Sequence, residues 1–276
     1  MTAIRAVPSG HAWAAFGLQA RLVANETTKG AKLLWRRRGR MVATLVSYLL
    51  TYLGFSLLVG GGHLVRPLMA LTVPGLLAYV VAGTAALQGS GGIAEEANSG
   101  TLEQTQLSPA AQSVHILGRL AALAMEGLLV AAVAGVLLIS VFRLSFHPDP
   151  AVLVPVLLTV VSALGYGLLM TALTVRVLSI GAIIHITNAL ILFFGGTVLP
   201  VAVFPGPGHI VARFFPTTLG VEATRTMLSG KPLSATWADG TLPWLLVHTA
   251  VLLTLGWVLY VTFIRRAYRQ GGLGPQ

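Results

Sequence analysis

The run MVATLVSYLLTYLGFSLLVG, residues Met41–Gly60, decides the class of fold, because it contains no charged side chain over its whole length. A helix of about 20 apolar residues is long enough to cross the roughly 30 Å hydrocarbon layer of a bilayer. The rest of the chain is similar, since 55% of its 276 residues are hydrophobic and only 9% are charged. A soluble protein of this length could not cover so much apolar surface, because part of any water-facing exterior must be polar. The sequence therefore predicts a membrane protein.

Six apolar runs of this kind occur along the chain. They lack the apolar–polar alternation of a membrane barrel strand, so we predict an all-α membrane protein with six transmembrane helices. The predicted spans are Met41–Gly60, Met69–Gly89, Val114–Phe142, Val152–Val175, Leu178–Leu199 and Leu242–Ile264. They form a transmembrane domain over residues 41–264, between a cytoplasmic amino-terminal segment, residues 1–40, and a cytoplasmic tail, residues 265–276.

The basic residues predict the orientation of these spans. Thirteen of the 18 Lys and Arg residues lie on the side of the termini, and eight of these are in residues 1–40. The positive-inside rule then places both termini, and the connection between spans two and three, in the cytoplasm. We expect a multi-pass protein of the inner or plasma membrane whose net charge of +10 favours anionic lipid, not nucleic acid, as the partner.

The amino-terminal segment contains a predicted amphipathic helix, His11–Leu34. Steps of three and four residues, with Arg21, Lys29 and Lys32 off the stripe, connect Trp13, Phe16, Ala20, Val23, Thr27, Ala31 and Leu34. This pattern is typical of a helix that lies in the membrane interface. The pattern leaves open whether the helix is a general surface anchor or has a specific docking role.

A short acidic stretch, IAEEANSGTLEQTQLSP at Ile93–Pro109, stands between spans two and three. It holds three of the eight acidic residues of the chain, Glu95, Glu96 and Glu103. Acidic side chains contribute little to topology, so their clustering favours contact with a basic protein surface. The alternative is a solvated loop with helix-capping acids, since Thr101 and Gln104 have the spacing of a capping box.

The sequence lacks the motifs of several enzyme classes. It has no G-x-x-x-x-G-K-[ST] phosphate loop, no H-E-x-x-H pair and no cysteine, so we expect neither ATP hydrolysis in the P-loop manner nor a zinc or thiolate site in this chain. We therefore expect no catalytic residue, no metal and no cofactor in this chain.

Three polar side chains at membrane depth are candidates for a substrate pathway: Glu126 in span three, and His185 and Asn188 in span five. A carboxylate in a span is costly unless it is neutralised, paired or facing water. Glu126 either contacts substrate or protons, or is a protonated or Arg-paired group that fixes helix packing; Arg119 lies seven residues earlier on nearly the same face. His185 and Asn188 either line a cavity together or make interhelical hydrogen bonds.

The Gly100-Thr101-Leu102-Glu103 motif, followed by Leu107-Ser108-Pro109, resembles the stretch after the second span of ABC-2 type transporter permeases. The region after span five is similar to the extracellular re-entrant hairpin of that family. It contains Gly195-Gly196, Leu199-Pro200, Phe204-Pro205, Phe215-Pro216 and Gly220-Val221-Glu222-Ala223.

The resemblance implies that the cytoplasmic loop forms a short coupling helix seated in a cleft of a separate ATPase, which binds ATP and Mg. The implied contact residues are Glu95, Glu96, Gly100, Thr101, Glu103 and Pro109. It also implies that two permease chains pair, with a homodimer favoured here, and that a hairpin containing Pro200, Pro205, Phe215 and Glu222 shapes an outer gate.

The resulting hypothesis is the transmembrane subunit of an ABC exporter. The apolar spans favour a hydrophobic or amphipathic substrate, such as a drug, lipid or peptide, as in multidrug efflux. The excess of Arg over Lys, 15 to 3, favours a bacterial source. Two alternatives remain, a proton-coupled secondary transporter that uses Glu126 and a non-transporting intramembrane protein.

Overall fold

The computed structural model describes residues 21, 24–25, 27–28, 32, 35–36, 38–100, 112–146, 149–177 and 180–269. Within these ranges the chain is helical, with no strand. The helices are α1 (Arg38–Val59), α2 (Arg66–Asn98), α3 (Gln112–Phe142), α4 (Leu153–Arg176), α5 (Gly181–Phe194), α6 (Gly206–Ala212), α7 (Thr218–Leu228), α8 (Leu233–Ala238) and α9 (Thr241–Arg269), with 3-10 turns at Pro150–Val152 and Val201–Val203. The described residues between 21 and 36 are helical; the rest of the predicted interfacial helix lies outside the described residues.

Five helices are long and apolar enough to cross a membrane among the described residues: α1, α2, α3, α4 with its preceding 3-10 turn, and α9. They correspond to predicted spans one, two, three, four and six. The class of fold predicted from the apolar runs is thus confirmed. The count of six remains a prediction.

The predicted fifth span is shorter than expected. The helix there, α5, has 14 residues, about 21 Å at a rise of 1.5 Å per residue, against a hydrocarbon layer of roughly 30 Å. It ends at Phe194 because Gly196 takes a left-handed conformation, φ 81°, and turns the chain towards α2. Apolar composition alone extended the predicted helix to Leu199, five residues too far.

The second helix is longer than predicted. The prediction ended it at Gly89, but α2 continues without a break through Gly91 and Gly92 to Asn98. Glu95 and Glu96 therefore stand on the last turn of a 33-residue helix and not on a loop. Gly100, at φ 69°, follows that helix end, the position where a left-handed glycine commonly ends a helix.

Small residues let the central helices approach closely. A Cβ on Gly167 of α4 would lie 2.5 Å from Cβ of Ala85 on α2. On the other side of α4, a Cβ on Gly165 would lie 2.9 Å from the backbone nitrogen of Leu253 on α9. In a bilayer, where lipid tails are as apolar as leucine, helix association depends on such close packing. Helix α4 is therefore held between α2 and α9.

The α5–α9 connection (residues 195–240) contains the 3-10 turn Val201–Val203 and three short helices, α6, α7 and α8. Helix α7 packs into the bundle, with Leu219, Val221, Ala223 and Met227 buried. The connection thus includes a helix that is docked in the bundle.

Candidate functional sites

One end of the bundle brings α2, α3, α4 and α9 together, and we call it the coupling end. Its buried apolar cluster includes Ile93 of α2, Ile116 of α3, Val175 of α4 and Ile264 of α9. Beside this cluster, Arg119 of α3 donates a hydrogen bond from Nη2 to Oε1 of Glu96 on α2. Both side chains are partly buried, at 23% and 31% exposure, so the pair is less screened than a surface salt bridge. It ties the end of α2 to the start of α3.

The predicted ATPase contact residues lie in different surroundings. Glu96 is engaged with Arg119 inside the bundle, whereas Glu95 is exposed at the end of α2. Gly100 is exposed two residues beyond that helix. Thr101, Glu103 and Pro109, together with the predicted coupling helix, lie outside the described residues.

A second group of polar side chains is buried in the middle of the bundle. Glu126 of α3 is only 4% exposed, and it lies within electrostatic range of the buried Tyr48 of α1. Gly83 of α2 leaves the space that the Tyr48 hydroxyl occupies, and the Tyr48 and Tyr79 rings pack edge to face with centroids 5.3 Å apart. Glu126 therefore belongs to a multi-helix polar cluster and does not project towards lipid.

The two polar residues of the predicted fifth span lie in different surroundings. Asn188 is 5% exposed, and its Oδ1 accepts a hydrogen bond of 3.2 Å from the Tyr166 hydroxyl of α4. His185 is exposed on the outside of α5. Asn188 thus holds α5 against α4, and the structure does not place His185 with it.

At the opposite end of the bundle, Arg225 of α7 joins three parts of the chain. Its Nε donates to the carbonyl oxygen of Leu71 in α2, and its Nη2 donates to that of Gly196 in the α5–α9 connection. Gly196 is close because it has no side chain; a Cβ there would lie 2.9 Å from Nη1. Burial lowers the pKa of Arg225 to about 10, against the opposing effect of Glu222. The guanidinium therefore remains charged at neutral pH.

The predicted gate residues lie around this anchor. Burial raises the pKa of Glu222, while Arg213, His209 and Arg225 oppose that change. Oε1 of Glu222 lies 3.8 Å from Nε2 of His209 in α6. The ring of Phe215 stacks on Phe194 at the end of α5, with centroids 5.4 Å apart.

The two predicted gate prolines bound the 3-10 turn and the start of α6. Pro200 precedes the turn Val201–Val203, and Pro205 precedes α6. Between them, the ring of Phe204 packs on Phe194 at 5.4 Å. The α5–α9 connection is thus fixed by aromatic packing as well as by Arg225.

A sequence model described as ABC-2 family transporter protein matches residues 44–258, which include all five long helices for most of their length. The chain belongs to the ABC-2 transporter family. It is accordingly a permease, the membrane subunit of an ABC transporter, and such permeases work in general with an ABC ATPase. A comparison with curated protein sequences finds no match.

Sequence reasoning missed several residues that organise this ABC-2 permease. The sequence pattern assigns no role to Arg225, although the Gly195-Gly196 pair signals a close backbone approach. Tyr48 and Tyr166 were also missed. A tyrosine inside an apolar span is a usable signal, because a buried hydroxyl usually finds a polar partner.

Proposed function

We propose that this permease is the transmembrane subunit of an ATP-driven exporter, worked from the cytoplasm by a separate ATPase that binds ATP and Mg. The substrate would be a hydrophobic or amphipathic molecule, such as a drug, lipid or peptide, moved out of the cell. The ATPase would contact the segment Glu95–Pro109. We further propose that both termini lie in the cytoplasm.

The observation that supports this proposal is the continuity of α2. Its 33 residues span about 50 Å. Near one end it carries Glu96, tied to Arg119 of α3; near the other, its Leu71 carbonyl accepts from Arg225 of α7. A movement imposed on the coupling end would therefore reach the α5–α9 connection through one helix. Packed helices shift between discrete arrangements, which suits alternating access.

The free energy of ATP binding and hydrolysis would reach this chain only through a contact with the ATPase. The sequence carries no P-loop, and a partner shifts an equilibrium between two states only if it interacts differently with each. An ATPase pair that binds the α2–α3 connection and changes its position between two nucleotide states meets this requirement. In the predicted orientation, inward or lateral access would give way to outward access.

We propose a homodimer in which α1 and α5 flank the substrate cavity together with α2. Helix α1 presents an exposed apolar stripe of Val42, Val46, Leu50 and Leu58. Gly54 lies on the same stripe with open space around it, which would allow a close approach by a second helix. Phe55 of α1 contacts Phe193 of α5, with ring centroids 5.5 Å apart, so that the two helices offer one continuous surface.

The test is a charge reversal in the α2–α3 connection. Glu103→Lys, or deletion of residues 100–103, is expected to leave the permease folded and ATP hydrolysis measurable, but to uncouple hydrolysis from transport in vesicles that contain the co-purified ATPase. Glu26→Lys is the matched control, because it makes the same charge change in the amino-terminal segment. Unchanged transport by Glu103→Lys and by the deletion would contradict the proposal.

The proton-coupled alternative is supported by one observation, the burial of Glu126 at the centre of the bundle. The two mechanisms differ in their energy source. Transport that persists with a hydrolysis-dead ATPase but stops when the proton gradient is collapsed would favour the proton-coupled mechanism over the ATP-driven one.

A further inference from the structure

A deep apolar groove lies away from the proposed dimer surface, between α2, α3, α4 and α7. Its volume is about 460 Å³, within the roughly 300–1,000 Å³ of known ligand pockets. Helix α2 contributes Val73 and Leu77, α3 contributes Ala132 and Val136, and α7 contributes Val221. Among the described residues that line it, only Thr159 and Thr224 have polar side chains. Thr159, one of the two, already donates its hydroxyl to the Pro155 carbonyl at 2.6 Å.

The groove occupies the half of the bundle opposite the coupling end. It runs from Val152, in the 3-10 turn before α4, to Val160 in the second turn of α4, or about 12 Å. On α3 it reaches Ile139, one turn before the helix ends at Phe142. In a membrane, this depth is the acyl-chain region of a single leaflet, which is the outer leaflet in the predicted orientation. An apolar recess there meets lipid tails and not water.

Arg143, the first residue after α3, has an unusual backbone conformation. It has a φ of 51°, a left-handed conformation that glycine adopts at little cost and that other residues avoid. Leu144 donates its backbone N–H to the Ile139 carbonyl at 3.1 Å, the six-to-one bond of a Schellman helix end. In that motif the left-handed residue is usually glycine. An arginine here keeps a charge at a position where its backbone is strained.

Along the chain, Arg143 lies next to residues that line the groove. It stands between Ile139 and Phe146, which both line the groove, and it is exposed. Among the described residues, no acidic side chain forms an ion pair with it. A guanidinium just beyond the end of a hydrocarbon recess matches the geometry of a phospholipid, whose phosphate lies at the interface above its acyl chains.

We propose that this groove binds an acyl chain of an anionic phospholipid whose headgroup phosphate pairs with Arg143. The site is separate from the proposed substrate cavity and requires only that the chain be in a membrane. One basic residue near a membrane surface contributes about 1 kcal/mol towards anionic lipid, or about fivefold in occupancy.

The experiment uses the full chain in nanodiscs of phosphatidylcholine that contain a trace of a photoreactive lipid. The reactive group is on the acyl chain, and the headgroup is phosphatidylglycerol in one sample and phosphatidylcholine in the other. Peptide mapping then compares labelling of residues 128–139 in the groove with labelling around Val251 and Leu255, exposed apolar residues of α9. We expect the phosphatidylglycerol probe to label the groove about fivefold more than the phosphatidylcholine probe, and α9 equally with both.

Four variants separate the headgroup from the groove. Arg143→Gln and Arg143→Gly should each abolish the fivefold preference, and Arg143→Gly should not lower the thermal stability because it relieves the left-handed backbone. Arg213→Gln, which removes an exposed arginine of α6's end, should keep the preference. Ala132→Trp should fill the groove and reduce its labelling by both probes while labelling of α9 is retained.

Groove labelling no stronger than that of α9, or a preference that survives in Arg143→Gln and Arg143→Gly, would overturn the proposal. The groove would then be an ordinary lipid-facing surface or a contact with a second copy of the chain. Because Arg143→Gly is expected to fold at least as well as the unmodified protein, a loss of the lipid preference in this variant could not be attributed to misfolding.

Discussion

Arg225→Met is expected to release the α5–α9 connection from α2. The substitution keeps the length of the aliphatic stem but removes the donors to the Leu71 and Gly196 carbonyls. A hydrogen bond from a charged donor contributes about 1.5–3 kcal/mol. Because the side chain is partly exposed to solvent, we take the lower value for each bond, which gives a loss of about 3 kcal/mol in the local stability of α7 and residues 195–205.

The assay is hydrogen–deuterium exchange followed by mass spectrometry on the purified permease. A loss of about 3 kcal/mol corresponds to exchange faster by on the order of a hundredfold, if these segments open locally. Arg225→Lys should give an intermediate value, since an ammonium retains the charge but not the planar fork that reaches two carbonyls. Arg213→Met is the control in the same region.

Two results would contradict this prediction: unchanged exchange in Arg225→Met, or equal acceleration in Arg225→Met and Arg213→Met. In the first case the two carbonyl contacts would contribute little to stability. In the second, general loss of positive charge near Glu222 would explain the effect instead of the specific bonds.

Three further outcomes are expected. Gly89→Ala should lower the thermal stability by about 1–3 kcal/mol, because its Cβ would lie 2.5 Å from Oγ1 of Thr171, whereas Gly91→Ala on the same helix has open space and should be neutral or stabilising; equal effects would contradict the packing. Burial raises the folded-state pKa of Glu222 above its ordinary value of 4.5, so its favourable contribution is present below pH 4.5 and is lost as the pH rises through the raised pKa. Glu222→Gln should therefore weaken the dependence of the melting temperature on pH between pH 4.5 and the raised pKa. An unchanged dependence on pH would contradict this prediction. Since the chain has no cysteine, oxidation of Gly54→Cys should yield a disulfide-linked dimer, whereas Leu246→Cys on α9 should not; a dimer with Leu246→Cys alone would place the interface elsewhere.

The sequence predicts the long helices well because a bilayer forces one answer on an apolar run: backbone groups in hydrocarbon must be paired within a helix. The helix ends depend instead on tertiary contacts. Gly89 to Gly92 read as a break, but α2 continues there because Gly89 fits against Thr171 and Gly167. Helix α5 ends before Leu199 because the turn at Gly196 packs against Arg225. Neither contact is visible in local composition.

Some residues of the candidate sites can likewise be recognised in the sequence, whereas their contacts cannot. An acid within an apolar run is visible in the sequence, and the structure adds that Glu126 is buried. The partners of Arg225 are backbone carbonyls 154 and 29 residues away, and no side-chain pattern marks a carbonyl. Glu95 and Glu96 are adjacent and equivalent in the sequence, but one is exposed and the other binds Arg119, because successive residues of a helix point in different directions.

In the proposed mechanism, a separate ATPase acts on the connection between α2 and α3. The most direct measurement is a structure of the permease purified with its ATPase and a non-hydrolysed nucleotide. We expect the segment Glu95–Pro109 to lie in a cleft of the ATPase, on the same side of the membrane as both termini. An ATPase bound elsewhere on the permease, or the Glu95–Pro109 segment on the opposite side of the membrane, would contradict it.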